Sequence, residues 1–243
     1  MGIYINKEGN QLVMEPLTDK HVSEMSNGAV ADPARMLYGK NLKSEKGGLF
    51  DPRVFGKDGG GLTGTKWGHI ELDTPIPNPM FEKAILTLTG LKGAEFEDVI
   101  AGKRELQGKT GPEAIGAALG SIDVKGRLAD LTKRIKTAPK SKIDGMNKEI
   151  RYLSNLNKLG MSPKDAYMRQ KVPVLPPIMR PVSELPDGTL NTDDLNGLYR
   201  GLGLVNKKLR EMNPDLKALP EEAGKLHAGL YDGMKALVGV GTV

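Results

Sequence analysis

The chain has 243 residues, enough for one large domain or two small ones, and 38% of them are hydrophobic. It holds no cysteine, which excludes disulfides and thiolate metal sites, and no apolar run approaches the roughly 18 residues that a membrane span needs. A net charge of +5 is compatible with a polyanionic partner and diagnoses none.

The opening MGIYINKEGN lacks the basic-then-apolar layout of a signal peptide, so a cytoplasmic location is expected. Tyr4, Leu12 and Val13 hint at weak strands, and Leu17 to Met25 fits two helical turns. Residues 47–81 are rich in turns. The run KDGGGLTGTK (57–66) reads as a flexible surface connection, with an anion cradle of backbone amides as the sharper alternative. Trp67 to Leu72 predicts a short strand ended by the prolines at 75, 77 and 79. GKRELQGKT (102–110) has one residue too many between its glycines for a phosphate-binding loop and reads as a helix connection.

Residues 111–160 read as helices. Pro112 suits a first helical turn. Val124, Leu128, Leu131 and Ile135 form one apolar stripe, and Ile143, Met146, Ile150 and Leu153 form another. TAPKSK (137–142) separates them, which predicts an antiparallel pair. Gly160 suits a C-cap, and Ser162, Pro163 and Asp165 a new helix start. Five prolines keep 172–193 extended or turning, with a tight turn at PDGT (186–189).

The last stretch is the most regular. Leu195, Leu198, Leu202, Val205, Leu209 and Met212 alternate steps of three and four, the seam of a coiled coil. Asn213-Pro214 ends that helix. Pro220, Glu221 and Glu222 start a second, whose Ala223, Leu226, Leu230, Gly233 and Leu237 continue the seam. A short turn between them forces an antiparallel hairpin. So narrow a seam buries little, which predicts a hairpin that protrudes and docks on something. A homodimer through the same seam stays open.

The fold expected is α+β, mainly α. Residues 1–110 form a turn-rich N-terminal part with short strands, and 111–171 a helical segment. Residues 172–193 make a proline-rich connection with a loop, and 194–243 an antiparallel coiled-coil hairpin. The three histidines, His21, His69 and His227, lie far apart without carboxylate partners at ligand spacing, so no metal site is expected.

Several segments, in order, resemble the first third of the beta-prime subunit of multisubunit DNA-directed RNA polymerase. They are GGLFDPRVFG (47–56), WGHIELDTPI (67–76), GPEAIGAAL (111–119), LTKRIK (131–136), VPVLPPIMRP (172–181) and LNTDDLNGLYR (190–200). The resemblance implies a non-catalytic clamp segment of that enzyme. The loop from Val182 to Asp193 would be the lid at the upstream edge of the RNA–DNA hybrid, with Glu184, Leu185, Pro186, Asp187, Gly188 and Thr189 at its working end. The hairpin from Asp194 to Leu237 would be the clamp helices, on which Lys207, Lys208 and Arg210 dock an initiation factor. For those three residues a solvated helix face is the plain alternative. Arg180 and Arg200 would lie near nucleic acid.

The family's zinc-binding cysteines have no counterpart between Phe55-Gly56 and Trp67-Gly68, so that zinc site is absent. The chain ends before the family's rudder and its NADFDGD-type loop, whose carboxylates gather Mg²⁺ for nucleotidyl transfer. The chain alone should therefore bind no cofactor and be inactive, with Mg²⁺ acting in the assembled polymerase. A split subunit, a truncated one or one side of an interrupted gene is expected, reminiscent of phage-encoded polymerases, in which case the location is the host cytoplasm. Partners implied are a complementary beta-prime fragment, a beta-like subunit, DNA, the RNA–DNA hybrid, and sigma or a substitute initiation factor. The alternative is a stand-alone helical adaptor, or a decoy that mimics the clamp helices and titrates sigma.

Overall fold

The computed structural model describes residues 2–5, 12–38, 42–187, 189–217 and 219–240. It is an α+β fold, mainly α, with several small sheets. Strands β1 (Gly2–Ile5) and β2 (Leu12–Glu15) pair antiparallel. Thr18 then starts α1 (Asp19–Met25): its hydroxyl accepts from the His21 amide, and the His21 ring accepts from the Thr18 amide. β3 (Ser26–Ala29) follows at once, β4 (Leu37–Tyr38) and β5 (Lys43–Ser44) form a small ribbon, and Asp51 caps α2 (Pro52–Phe55).

Residues 57–66 are not the slack connection that their glycines imply. Gly59, Gly60 and Gly61 take φ values of 56, 66 and 100°, which glycine adopts without steric cost. They close one 3-10 turn, and Gly61 and Gly64 lie against the backbone of Phe50 and Phe55. The Lys66 amide donates to the Phe55 carbonyl at 3.1 Å. A side chain at either contact would strike backbone, so the glycines here serve close packing.

β6 (Trp67–Pro77) runs well past Leu72. Its ladder with β7 (Met168–Val174) loses register between Glu71 and Ile76. Pro75 sits in that unpaired stretch, where no amide donor is needed. β3 joins the other edge in parallel, giving the order β3-β6-β7. Within the segment expected to be turn-rich, residues 82–100 instead form α3 (Glu82–Thr89) and α4 (Gly93–Ile100). At 8 residues each, these helices are too short for their stripe to stand out in a sequence window.

The next elements follow the sequence pattern closely. α5 (Gly111–Gly120) has Pro112 in its first turn. Asp123 caps α6 (Val124–Arg134) by accepting from the Gly126 amide at 3.1 Å. Gly160 closes α7 (Lys140–Leu159) at φ 64°. Arg127, early in α6, bonds Glu149 in α7 at 2.5 Å, so the two helices run antiparallel. Ser162 caps α8 (Pro163–Tyr167). β8 (Val182–Glu184) and β9 (Leu190–Thr192) form a hairpin that leads into α9 (Asp194–Glu211), then α10 (Pro214–Lys217) and α11 (Pro220–Leu237).

Two apolar clusters hold the molecule. One joins Ile85, Leu88, Phe96, Ile115, Leu119, Leu153 and Leu156. The other joins Leu49, Phe50, Phe55, Ile70, Ile76, Val174, Leu202 and Leu209. Burying each such side chain contributes roughly 1.5–3 kcal/mol. α11 serves both: Tyr231 meets Phe96 edge-on at 5.5 Å in the first, while Leu230 and Met234 belong to the second.

That double burial corrects the expectation of a protruding C-terminal hairpin. Leu202 faces Gly233 and Val205 faces Gly229, so α9 and α11 are antiparallel. Yet α9 also buries Asn196, Tyr199, Gly203 and Asn206, a face wider than the seam. Asn206 accepts from the Asp73 amide and donates to the Glu71 carbonyl, both at 2.8 Å, which ties α9 to β6. Gly203 rests on Pro33 and Gly224 on the Ala101 carbonyl. The hairpin lies along the body.

Candidate functional site

The loop expected to be a lid is a two-stranded hairpin. Val182, Ser183 and Glu184 pair with Thr192, Asn191 and Leu190. At the tip the Leu185 amide donates to the Thr189 carbonyl at 2.8 Å. The Asp187 carboxylate accepts from the Thr189 hydroxyl at 2.6 Å and from its amide at 2.9 Å. These bonds hold the Asp187 carboxyl below its ordinary pKa. Glu184, Leu185, Pro186, Asp187 and Thr189 are all exposed, Leu185 at 43%; Gly188 lies outside the described residues. An acidic turn with a bare leucine therefore stands out from the body. Ile178 and Met179, in the 3-10 turn preceding it, are also exposed, at 55% and 56%.

Arg180 sits at the root of this hairpin and does not reach the surface. It is 0% exposed. Its guanidinium donates to the Leu175 carbonyl at 2.8 Å, to Asn196 Oδ1 at 2.7 Å and to the Leu49 carbonyl. It also lies over the rings of Phe50 and Phe55, 4.7 and 4.9 Å from their centroids. Burial lowers its pKa to about 10, so it stays charged at neutral pH. The expected nucleic-acid role is corrected for this residue: every face of its head group is occupied by protein. Asn196 completes the joint by donating to the Arg180 carbonyl at 3.1 Å. Tyr199 bridges the Leu175 amide and the Pro173 carbonyl. Neither Asn196 nor Tyr199 was distinguished in the sequence, where both sit inside a helical run without any local mark of burial.

Asp193 welds hairpin to helix. Its amide donates to the Pro181 carbonyl at 3.1 Å, and its carboxylate caps α9 by accepting from the Leu195 amide at 2.9 Å. Farther along α9, Lys207, Lys208 and Arg210 are exposed. Lys207 pairs with Asp32 at 3.2 Å, and Arg210 donates to the Glu71 carbonyl at 3.2 Å. Both line a groove of about 360 Å³ between α9, β6 and the segment after β3. Lys208 points away from it into solvent, with no ion pair among the described residues. Arg200 is exposed on the same helix. The structure thus brings Lys207 and Arg210 together and leaves Arg200 and the hairpin tip separate from them.

Among the described residues no three His, Cys, Asp or Glu side chains converge as a metal site requires.

No family model matches the chain. It is similar to DNA-directed RNA polymerase subunit beta' of Acholeplasma laidlawii, 25% identical over 80% of this chain and 19% of that protein. The same subunit of Lactobacillus helveticus is 28% identical over 79% of the chain and 21% of the relative. That of Ligilactobacillus salivarius is 27% identical over 86% and 22%. The chain is related to RNA polymerase subunit beta'. It spans about a fifth of the length of the beta' subunits it matches. The aligned stretch with the Acholeplasma beta' covers 258 positions, more than the 243 residues of this chain. That beta' subunit therefore carries residues there that this chain lacks. No described helix is long and apolar enough to cross a membrane.

Proposed function

We propose that this chain serves transcription as a non-catalytic, beta'-like clamp segment of a DNA-directed RNA polymerase. The observation that carries the reading is the similarity over about four-fifths of the chain to proteins named beta'. The hairpin at 182–192 supports a lid role. It is exposed, its backbone is closed at the tip by Asp187 and Thr189, and its root is fixed through Arg180 and Asp193. A rigid, projecting element of this kind suits the separation of two strands at the edge of a hybrid. Lys208, with Lys207 and Arg210 beside the groove on α9, would meet an initiation factor. Arg200 remains available to a phosphate nearby. DNA, the hybrid, a complementary beta' portion and a beta-like subunit are the partners proposed, and Mg²⁺ would be held by those other subunits.

The test is co-expression of the tagged chain with the complementary polymerase subunits, followed by primer extension with Mg²⁺. The expected outcome is a stable complex that makes RNA, while the chain alone makes none. Removing residues 184–190 should keep the complex and impair transcript release. Replacing Lys207, Lys208 and Arg210 with Gln should keep RNA synthesis from a preformed primer and weaken factor-dependent initiation. A chain that never joins the catalytic subunits, and instead captures sigma or itself, would replace this reading with an adaptor or a decoy.

A further inference from the structure

Charge is not spread evenly along this chain. Residues 124–160 carry ten lysines and arginines against three carboxylates, a net +7 where the whole chain is +5, which leaves the remainder at −2. These residues are the α6–α7 pair. Within it the cations gather at one end: Lys133, Arg134, Lys136, Lys140 and Lys142 fall in ten residues with no acid between them. They span the end of α6, the 3-10 turn Ile135–Thr137 and the start of α7. All five are exposed. Arg134 pairs with Asp130 of its own helix at 2.9 Å. The other four have no ion pair among the described residues.

This end stands free of the body. α6 buries only Leu131, and α7 only Leu153 and Leu156, in its second half. No residue from 132 to 149 is buried. At about 1.5 Å per residue, Lys140 lies about 20 Å along the helix axis from Leu153. The protruding element expected of this fold is therefore α6–α7 and not the C-terminal hairpin.

The surface chemistry narrows the occupant. No large apolar side chain between 124 and 160 is exposed, so the tip offers no anchor of the kind that dominates protein interfaces. It presents no exposed aromatic ring on which an unpaired base would stack. What it offers is a set of unpaired cations on two adjacent helix ends, matched to a dense row of phosphates. We infer that the α6–α7 tip is a sequence-independent contact for the phosphate backbone of duplex DNA. The inference adds a surface that the clamp reading above does not use. It needs no other subunit, so it stands or falls separately.

The test uses the full chain and a labelled duplex of mixed sequence, with binding followed by fluorescence anisotropy from about 50 to 200 mM NaCl. Two triple variants, K133Q/R134Q/K136Q and K136Q/K140Q/K142Q, remove tip cations. A control, K20Q/K103Q/K225Q, removes equal charge elsewhere. All these side chains are exposed, so circular dichroism should show each variant folded. Binding should weaken with salt, and each phosphate contact accounts for about 0.9 of the log–log slope, or about threefold in affinity over that range. Each tip variant should lose close to three contacts' worth of slope, so the salt increase costs it about 30-fold less than wild type. The control should behave as wild type. Equal losses in control and tip variants, or wild-type binding without salt dependence, would overturn the assignment. So would a poly-glutamate peptide that binds the tip as tightly as the duplex, which would point to an acidic protein surface instead.

Discussion

Arg180 shows how one residue organises a functional element from beneath it. A buried cation without a carboxylate partner is costly to desolvate. Here two carbonyls, one side-chain amide oxygen and two aromatic faces substitute for water. The planar fork reaches three acceptors on three different segments, which an ammonium cannot reproduce. Both Arg180→Lys and Arg180→Met should therefore destabilise the chain, by about 3 kcal/mol or more where the partners are left unpaired. Urea unfolding followed by circular dichroism reads this, and a change below about 1 kcal/mol would show that the joint is not a stabilising one. The motif VPVLPPIMRP contains the arginine, and the family resemblance placed it near nucleic acid. Its burial depends on Leu49 and Asn196, 131 and 16 residues away.

Among the elements, α11 joins the two apolar clusters. One face meets α9, another meets Phe96, and its first turn lies on the loop after α4. Gly224 is the closest approach, because a β-carbon there would collide with the Ala101 carbonyl oxygen. Alanine normally favours a helix by up to about 1 kcal/mol over glycine. At this position overpacking should outweigh that gain, and Gly224→Ala should destabilise by about 2 kcal/mol. Gly197→Ala, on the exposed face of α9 with open space around it, should stabilise slightly. Thermal denaturation of the pair separates packing from propensity: a stabilised Gly224→Ala would contradict the packing assigned to α11. By propensity alone the glycines of this hairpin are weak helix formers. Which of them touch another element depends on the docking of the hairpin, a contact that no heptad pattern encodes.

For the whole molecule, pH dependence follows from groups lodged between elements. His227 lies beneath the start of α5, with Nε2 unpartnered among the described residues, and burial lowers its pKa, with Lys217 acting in the same direction and Glu113 and Asp73 opposing. His69 is lowered too, first by burial and then by Lys171, against Glu71 and the Gly28 backbone. Both therefore bind protons more readily unfolded, and stability falls as pH drops below about 6.5. Asp51 adds a second window. Hydrogen bonds from Arg53 lower its pKa from 3.8 to about 2, so its contribution is present above 3.8 and is lost as pH falls toward 2. Urea midpoints should thus decline between pH 7.5 and 5.5, and His227→Gln should flatten part of that decline. A midpoint unchanged over this range in the wild-type chain would show that the histidines are not held neutral by the fold.

What the sequence determined by itself was local or serial. The cap at Ser162, the stop at Gly160, the stripes of α6 and α7 and the antiparallel order of α9 and α11 depend on residues a few positions apart. The order of the segments likewise carried the relation to beta'. The tertiary structure decided which helical pair projects and which lies on the body. A seam of leucines looks the same whether its outer face meets water or a sheet. Asn206, Gly203 and Tyr199 turn that face inward, because their partners on β6, Pro33 and Pro173 come from distant parts of the chain. The basic end of α6–α7 is exposed for the opposite reason: no acid interrupts the run 133–142, Arg134 pairs only within its own helix with Asp130, and the fold brings no ion-pair partner to the other four cations among the described residues.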